Sequence, residues 1–102
     1  MKTKLIAALI VMAVSSPVFA GGTFGSVDCG QWIKDTEAMK SRNKTWLVGY
    51  MSGLNVADSQ DRDSLAKVSA PQIWLWMDNF CKANPLKDVV YGGQDLMDEL
   101  RK

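Results

Sequence analysis

Apolar and polar positions alternate with a helical period along most of the chain. From Asp28 to Arg42, Cys29, Trp32, Ile33, Thr36 and Met39 recur every three or four residues, and Asp28 stands where an N-cap belongs. A second helix is predicted over 45–57, "TWLVGYMSGLNVA", with Trp46, Leu47, Tyr50, Leu54 and Ala57 on one stripe. Gly49 and Gly53 lie beside that stripe. Each costs about 1 kcal/mol relative to alanine inside a helix, so close approach of a second helix backbone is the expected compensation. The same spacing marks membrane dimers, but this segment is too short and too polar to span a bilayer.

The third segment, "PQIWLWMDNFCKANP" at 71–85, has Ser69 as its cap, Pro71 in its first turn and Pro85 at its end. At about 100° per residue, Ile73, Met77, Phe80 and Asn84 form one line, with Trp74 and Cys81 to one side. Trp76 falls on the opposite flank, and Leu75 points into the polar sector of Asp78, Asn79 and Lys82. Two readings follow. Either this is a central helix covered on three sides, or Trp74, Leu75 and Trp76 form a partner-binding patch, since aromatic anchors dominate interface energetics.

The fourth segment, Leu86 to Leu100, repeats Leu86, Val89, Val90, Gly93, Leu96, Met97 and Leu100 at amphipathic spacing, with Asn84 and Pro85 as its start signal. Gly92 and Gly93 in its middle either kink it or admit a neighbour. The polar stretch 58–69 reads as a loop with one helical turn at Ser64 to Lys67. No window shows sustained strand alternation. The expected fold is all-α: a small bundle of four helices, five with the short connector.

The N-terminus changes the picture of compartment. Lys2 and Lys4 precede an apolar run from Leu5 to Val14, broken by Ser15-Ser16-Pro17 and followed by Val18-Phe19-Ala20. This is a signal-peptide pattern, and its apolar run falls short of the roughly 20 residues that cross a bilayer. Cleavage after Ala20 and export to the periplasm are expected. Residues 21–27 would be a mobile glycine-rich start, and 28–102 a single helical domain.

The cysteines then acquire a meaning. Cys29 and Cys81 are the only two, and outside the cytosol an even count reads as a disulfide. It would join the first and third helices and constrain the unfolded chain by about 4 kcal/mol. That is comparable to the whole net stability of so small a domain.

Charge and chemistry mostly exclude. Loss of Lys2 and Lys4 reduces 12 Lys plus Arg to 10, against 11 Asp plus Glu, for a net charge of −1. With no basic block, nucleic-acid binding is not expected. There is no histidine, which removes the usual general base, nucleophile activator and metal ligand. Asp58, Asp61 and Asp63 alternate like part of a calcium loop, but lack its glycine and its terminal glutamate. A solvated loop is expected there, with no metal, no cofactor, no catalytic residue and no enzymatic activity.

A cysteine opening the first helix, "WLVGYMSGLN" in the second and "WLWMDNFCKANP" before the last together resemble a known family. The chain looks like the small periplasmic helical proteins related to HdeA-type acid-stress chaperones, over most of residues 28–100. It is also similar to the Tai-type immunity proteins, exported helical domains that neutralise cell-wall-degrading effectors. The first resemblance implies an ATP-independent holdase that acid activates to hold unfolding client proteins. The second implies a rigid surface that plugs an enzyme, with Trp74, Leu75 or Trp76 as anchors. A third possibility is an envelope assembly factor that forms a homodimer through the same patch.

Overall fold

The computed structural model describes residues 23–102. The expected signal peptide at residues 1–20 and its cleavage point lie outside the described residues. Four α-helices follow in chain order: α1 Cys29–Lys34, α2 Glu37–Val56, α3 Ala70–Ala83 and α4 Val89–Leu100. A single 3-10 turn, Ser64–Lys67, separates α2 from α3 where the connector was expected. Among the described residues there is no strand, only an isolated antiparallel bridge between Asp28 and Asp88. The all-α reading holds.

Polar side chains set where these helices start. Asp28 accepts from the Gln31 amide at 2.8 Å while the Gln31 side chain accepts from the Asp28 amide, a reciprocal box that opens α1. Ser69 and Gln72 repeat the box at α3, and Pro71 sits in its first turn. Asp88 accepts from the amides of Val90 and Tyr91 and starts α4.

Two boundaries depart from the sequence expectation. The helix predicted over 28–42 is broken: α1 ends at Lys34, Asp35 is extended, and Thr36 caps α2 by accepting from the Met39 amide. The second helix therefore begins at Glu37 rather than 45, and the turn lies within the expected first segment. Thr36 and Met39, placed on the core stripe by spacing, are both exposed. The last helix begins at Val89 rather than Leu86, because Asp88 supplies the cap that Asn84 and Pro85 were expected to mark. Leu86 is left 99% exposed in the preceding turn.

α1 packs on α3, α4 lies against both α2 and α3, and the 3-10 turn fills the side between α2 and α4. The core is built from Trp32, Leu47, Met51, Ile73, Met77, Phe80, Val89, Leu96 and Met97, with the Cys29–Cys81 disulfide among them. Each fully buried Leu or Met contributes about 1.5–3 kcal/mol. The disulfide joins α1 to α3 with the two Cα atoms 4.9 Å apart, as expected.

The glycines invert the expectation. A Cβ at Gly49 or Gly53 would meet nothing within 4 Å, so neither is a helix-packing glycine. Gly92 and Gly93 carry that role, where α4 lies on Met77, Phe80 and Tyr50, inside a helix that runs without interruption. Hydrogen bonds also reach the segment that precedes α1. Trp46 donates to the Phe24 carbonyl at 2.6 Å, Val89 N–H to Val27 at 3.1 Å, and Cys29 N–H to Lys87 at 2.9 Å.

Candidate functional site

The three residues of the expected patch occupy one turn of α3 but do not act together. Trp74 leans on α2, where its indole Nε1 donates to the Lys44 carbonyl at 3.2 Å. The Lys44 ammonium sits 5.3 Å from the ring centroid, in cation–π range. Trp76 lies on the other flank and stacks on Phe80 with centroids 5.4 Å apart. Both tryptophans pack against the core. Only Leu75 projects outward, 61% exposed.

A cleft opens where α1, the first turns of α2 and the outer face of α3 meet. It encloses about 340 Å³. Trp32 and Ile33 of α1 form one wall, Lys40 and Lys44 of α2 the second, and Asp78 and Lys82 of α3 the third. The Trp32 indole N–H donates to Asp78 Oδ1 at 2.7 Å, which satisfies the buried ring and fixes the carboxylate. Lys40 lies 3.9 Å from Glu37, whose side chain is otherwise solvated. A smaller hollow of about 270 Å³ shares Glu37, Lys40 and Lys44 and reaches Trp74.

Sequence reasoning singled out none of these lysines as a group. Lys44 and Lys82 are far apart in the chain, and the geometry that joins them follows from the α1–α3 disulfide and the break at Asp35. The adjacency of Lys82 to the exposed Leu75 was the one visible sign.

At the opposite side, the acidic loop is exposed from Ser59 to Asp63, as expected, but its first carboxylate is not. The Asp58 side chain is only 2% exposed. It accepts from Arg62 Nε at 2.9 Å and Nη2 at 3.2 Å, and from the Gln60 amide at 2.8 Å. Arg101, which caps the C-terminus of α4, brings Nε to 3.4 Å from the same carboxylate and donates from Nη2 to the Leu54 carbonyl. The Arg62 hydrogen bonds, then that of the Gln60 amide, hold the Asp58 carboxyl below its ordinary range; desolvation opposes them, and the charges of Arg62 and Arg101 add to the lowering.

Asp58, Asp61 and Asp63 do not converge. Asp63 accepts from Asn55 Nδ2 at 3.0 Å, and Asp61 sits at a positive φ of 56° on the exposed turn. Among the described residues no group of three His, Cys, Asp or Glu side chains is placed to hold a metal ion. No described helix is long and apolar enough to cross a membrane. Compared with protein-family models, with curated proteins and with solved structures, the chain finds no match.

Proposed function

We propose that the protein is a small exported, non-enzymatic binding protein of the periplasm, similar to the HdeA-type chaperones, that loosens in acid and holds unfolding proteins on its released core. The observation that carries this reading is the buried carboxylate of Asp58. It ties the α2–α3 loop, through Arg62, to the last turn of α4, through Arg101. Its protonation removes the charged partner of two cations at once, of which Arg101 has its Nε buried.

Other junctions are also fastened by carboxylates. Asp28 and Asp88 start α1 and α4, Asp35 accepts from the buried Asn43, and Asp78 accepts from Trp32. Carboxylates as a class protonate around pH 4 and below, and the chain has no histidine to respond nearer neutrality. Over that range the mature chain moves from −1 to about +10, and self-repulsion of that size opens compact states. The Cys29–Cys81 bond survives acid and keeps α1 on α3 while the rest loosens.

The test is a pair of measurements from pH 7 to pH 2: suppression of client aggregation, and the near-UV signal of the tryptophans. Holding activity that rises as the near-UV signal falls supports the reading. A protein that stays rigid and inert across the range excludes it.

A second reading, an immunity protein of the Tai type, draws on Leu75, a large apolar side chain held out on a rigid helix at neutral pH. It requires tight inhibition of an exported lytic enzyme encoded beside this chain. An unrelated genetic neighbourhood counts against it.

A further inference from the structure

We propose that the lysine-lined cleft between α1, α2 and α3 binds a short acidic segment of another protein at neutral pH. This goes beyond the acid-opened state, because it uses the closed fold. The charges inside the cleft are unequal in their commitments. Glu37 offsets Lys40, and Asp78 is engaged by the Trp32 indole N–H. Lys44 and Lys82 form no ion pair among the described residues. Three lysines from two helices thus face one hollow against two carboxylates, Glu37 and Asp78, which leaves one positive charge in excess.

Their placement is fixed rather than incidental. Lys44 is held over the Trp74 ring, and its own carbonyl takes the Trp74 indole N–H. Lys82 stands one residue after Cys81, so the disulfide to α1 sets the position of its backbone, while its side chain is exposed. The occupant is larger than a single ion. A water takes about 30 Å³ of liquid, and the first hollow alone encloses about 340 Å³. The second hollow continues from it past Lys40 and Lys44 to Trp74.

The walls also suit a peptide. Ile33 and Trp74, both partly exposed, offer apolar surface to the methylene stems of glutamate side chains, beneath lysines that meet the carboxylates. Leu75, two turns from Lys82 on the same side of α3, adds an exposed apolar contact at the rim. Residues 21–102, with 10 Lys plus Arg against 11 Asp plus Glu, have no long-range attraction for an extended polyanion, so the recognised feature is a short run of carboxylates that meets this local patch.

The experiment titrates the mature, disulfide-bonded protein at pH 7 and low salt, by calorimetry and tryptophan fluorescence. The probes are a capped peptide of glutamates and leucines, the same peptide with lysines for glutamates, inorganic phosphate, and vesicles containing anionic lipid. Binding of the glutamate peptide alone is expected, weakening as salt screens it. Lys44→Glu with Lys82→Glu should lower its affinity about tenfold or more, or 1.4 kcal/mol, while Lys102→Glu should leave it unchanged. If the double variant loses its near-UV signal, Lys44→Gln alone, expected to weaken binding about threefold, replaces it. Equal binding of the lysine peptide, no effect of either cleft variant, phosphate binding as tightly as the peptide, or preference for the vesicles would each overturn the proposal. So would dimerisation of the free protein that the double variant abolishes, since the occupant would then be a second copy. None of these outcomes depends on holdase activity in acid.

Discussion

The backbone of α4 at Gly92 rests directly on the side chain of Met77. A Cβ there would stand 2.6 Å from Met77 Sδ and 2.9 Å from Phe80 Cδ2, both buried on α3. The thioether has flexible torsions, but it is enclosed, and the Phe80 ring is held by Trp76 stacked upon it. Overpacking of this kind costs about 1–3 kcal/mol, against a gain of about 1 kcal/mol in helix propensity. Gly92→Ala should therefore lower stability by up to about 2 kcal/mol in denaturant titration. Unchanged stability would mean that Met77 has room to withdraw.

Gly49 and Gly53 should respond with the opposite sign. Both are exposed in α2, with nothing within 4 Å of a built Cβ. Alanine at either position keeps every contact and removes the entropic cost of glycine, so each should gain about 0.5–1 kcal/mol. A loss on substitution at Gly49 or Gly53, measured by the same titration, would point to a partner seated on that face of α2.

Asp58 makes a pH-dependent prediction. Its folded-state carboxyl is held low, so its contribution is present above the ordinary carboxylate pKa and lost as pH falls through the lowered one. Asp58→Asn removes the charge at every pH. The wild type should thus be the more stable at pH 7, and its advantage should shrink as the pH drops below about 4. Thermal melts of both proteins between pH 7 and pH 2 check this. An advantage constant over the whole range would place the effect in packing rather than in the Arg62 and Arg101 pairing.

What the chain disclosed about itself depended on how local each determinant is. The α3 helix was legible because its cap, its first-turn proline and its terminating Pro85 all lie within the segment. The Ser64 turn was legible for a similar reason, and the disulfide because the chain holds only two cysteines to pair. The break at Asp35-Thr36 was not. Apolar spacing continues across it through Thr36 and Met39, and only the Thr36 cap, together with the buried Asn43 that donates to Asp35, decides against a continuous helix. Asn43 is on the inward face of α2 with Leu47 and Met51, where a hydrophobic pattern has no sign for it. The Asp58 cluster escaped for a different reason. Charged residues in a loop read as solvated, and Arg101 reaches Asp58 only because α4 returns beside the end of α2.

The Cys29–Cys81 bond should contribute about 4 kcal/mol through the unfolded chain, given a separation of 52 residues. At about 4–8 °C of Tm per kcal/mol for a domain of this size, replacing both cysteines by serine should lower Tm by at least about 15 °C. A smaller shift, seen by far-UV melting with and without reductant, would show that α1 docks on α3 mainly through Trp32 and its bond to Asp78.

Leu75 and Ile73 lie two residues apart on α3 and should separate surface from core. Ile73 is almost wholly buried in the cluster with Met77 and Phe80, so Ile73→Ala removes packed methyl groups and should cost about 2–4 kcal/mol. Leu75 touches solvent over most of its surface, and Leu75→Ser should change stability by no more than about 0.5 kcal/mol. Its effect belongs instead to association. If Leu75 is an anchor, the serine variant keeps the wild-type melting curve and weakens self-association or partner binding in sedimentation. A stability loss of several kcal/mol would return Leu75 to the core, and a variant unchanged in both respects would remove it from the binding surface.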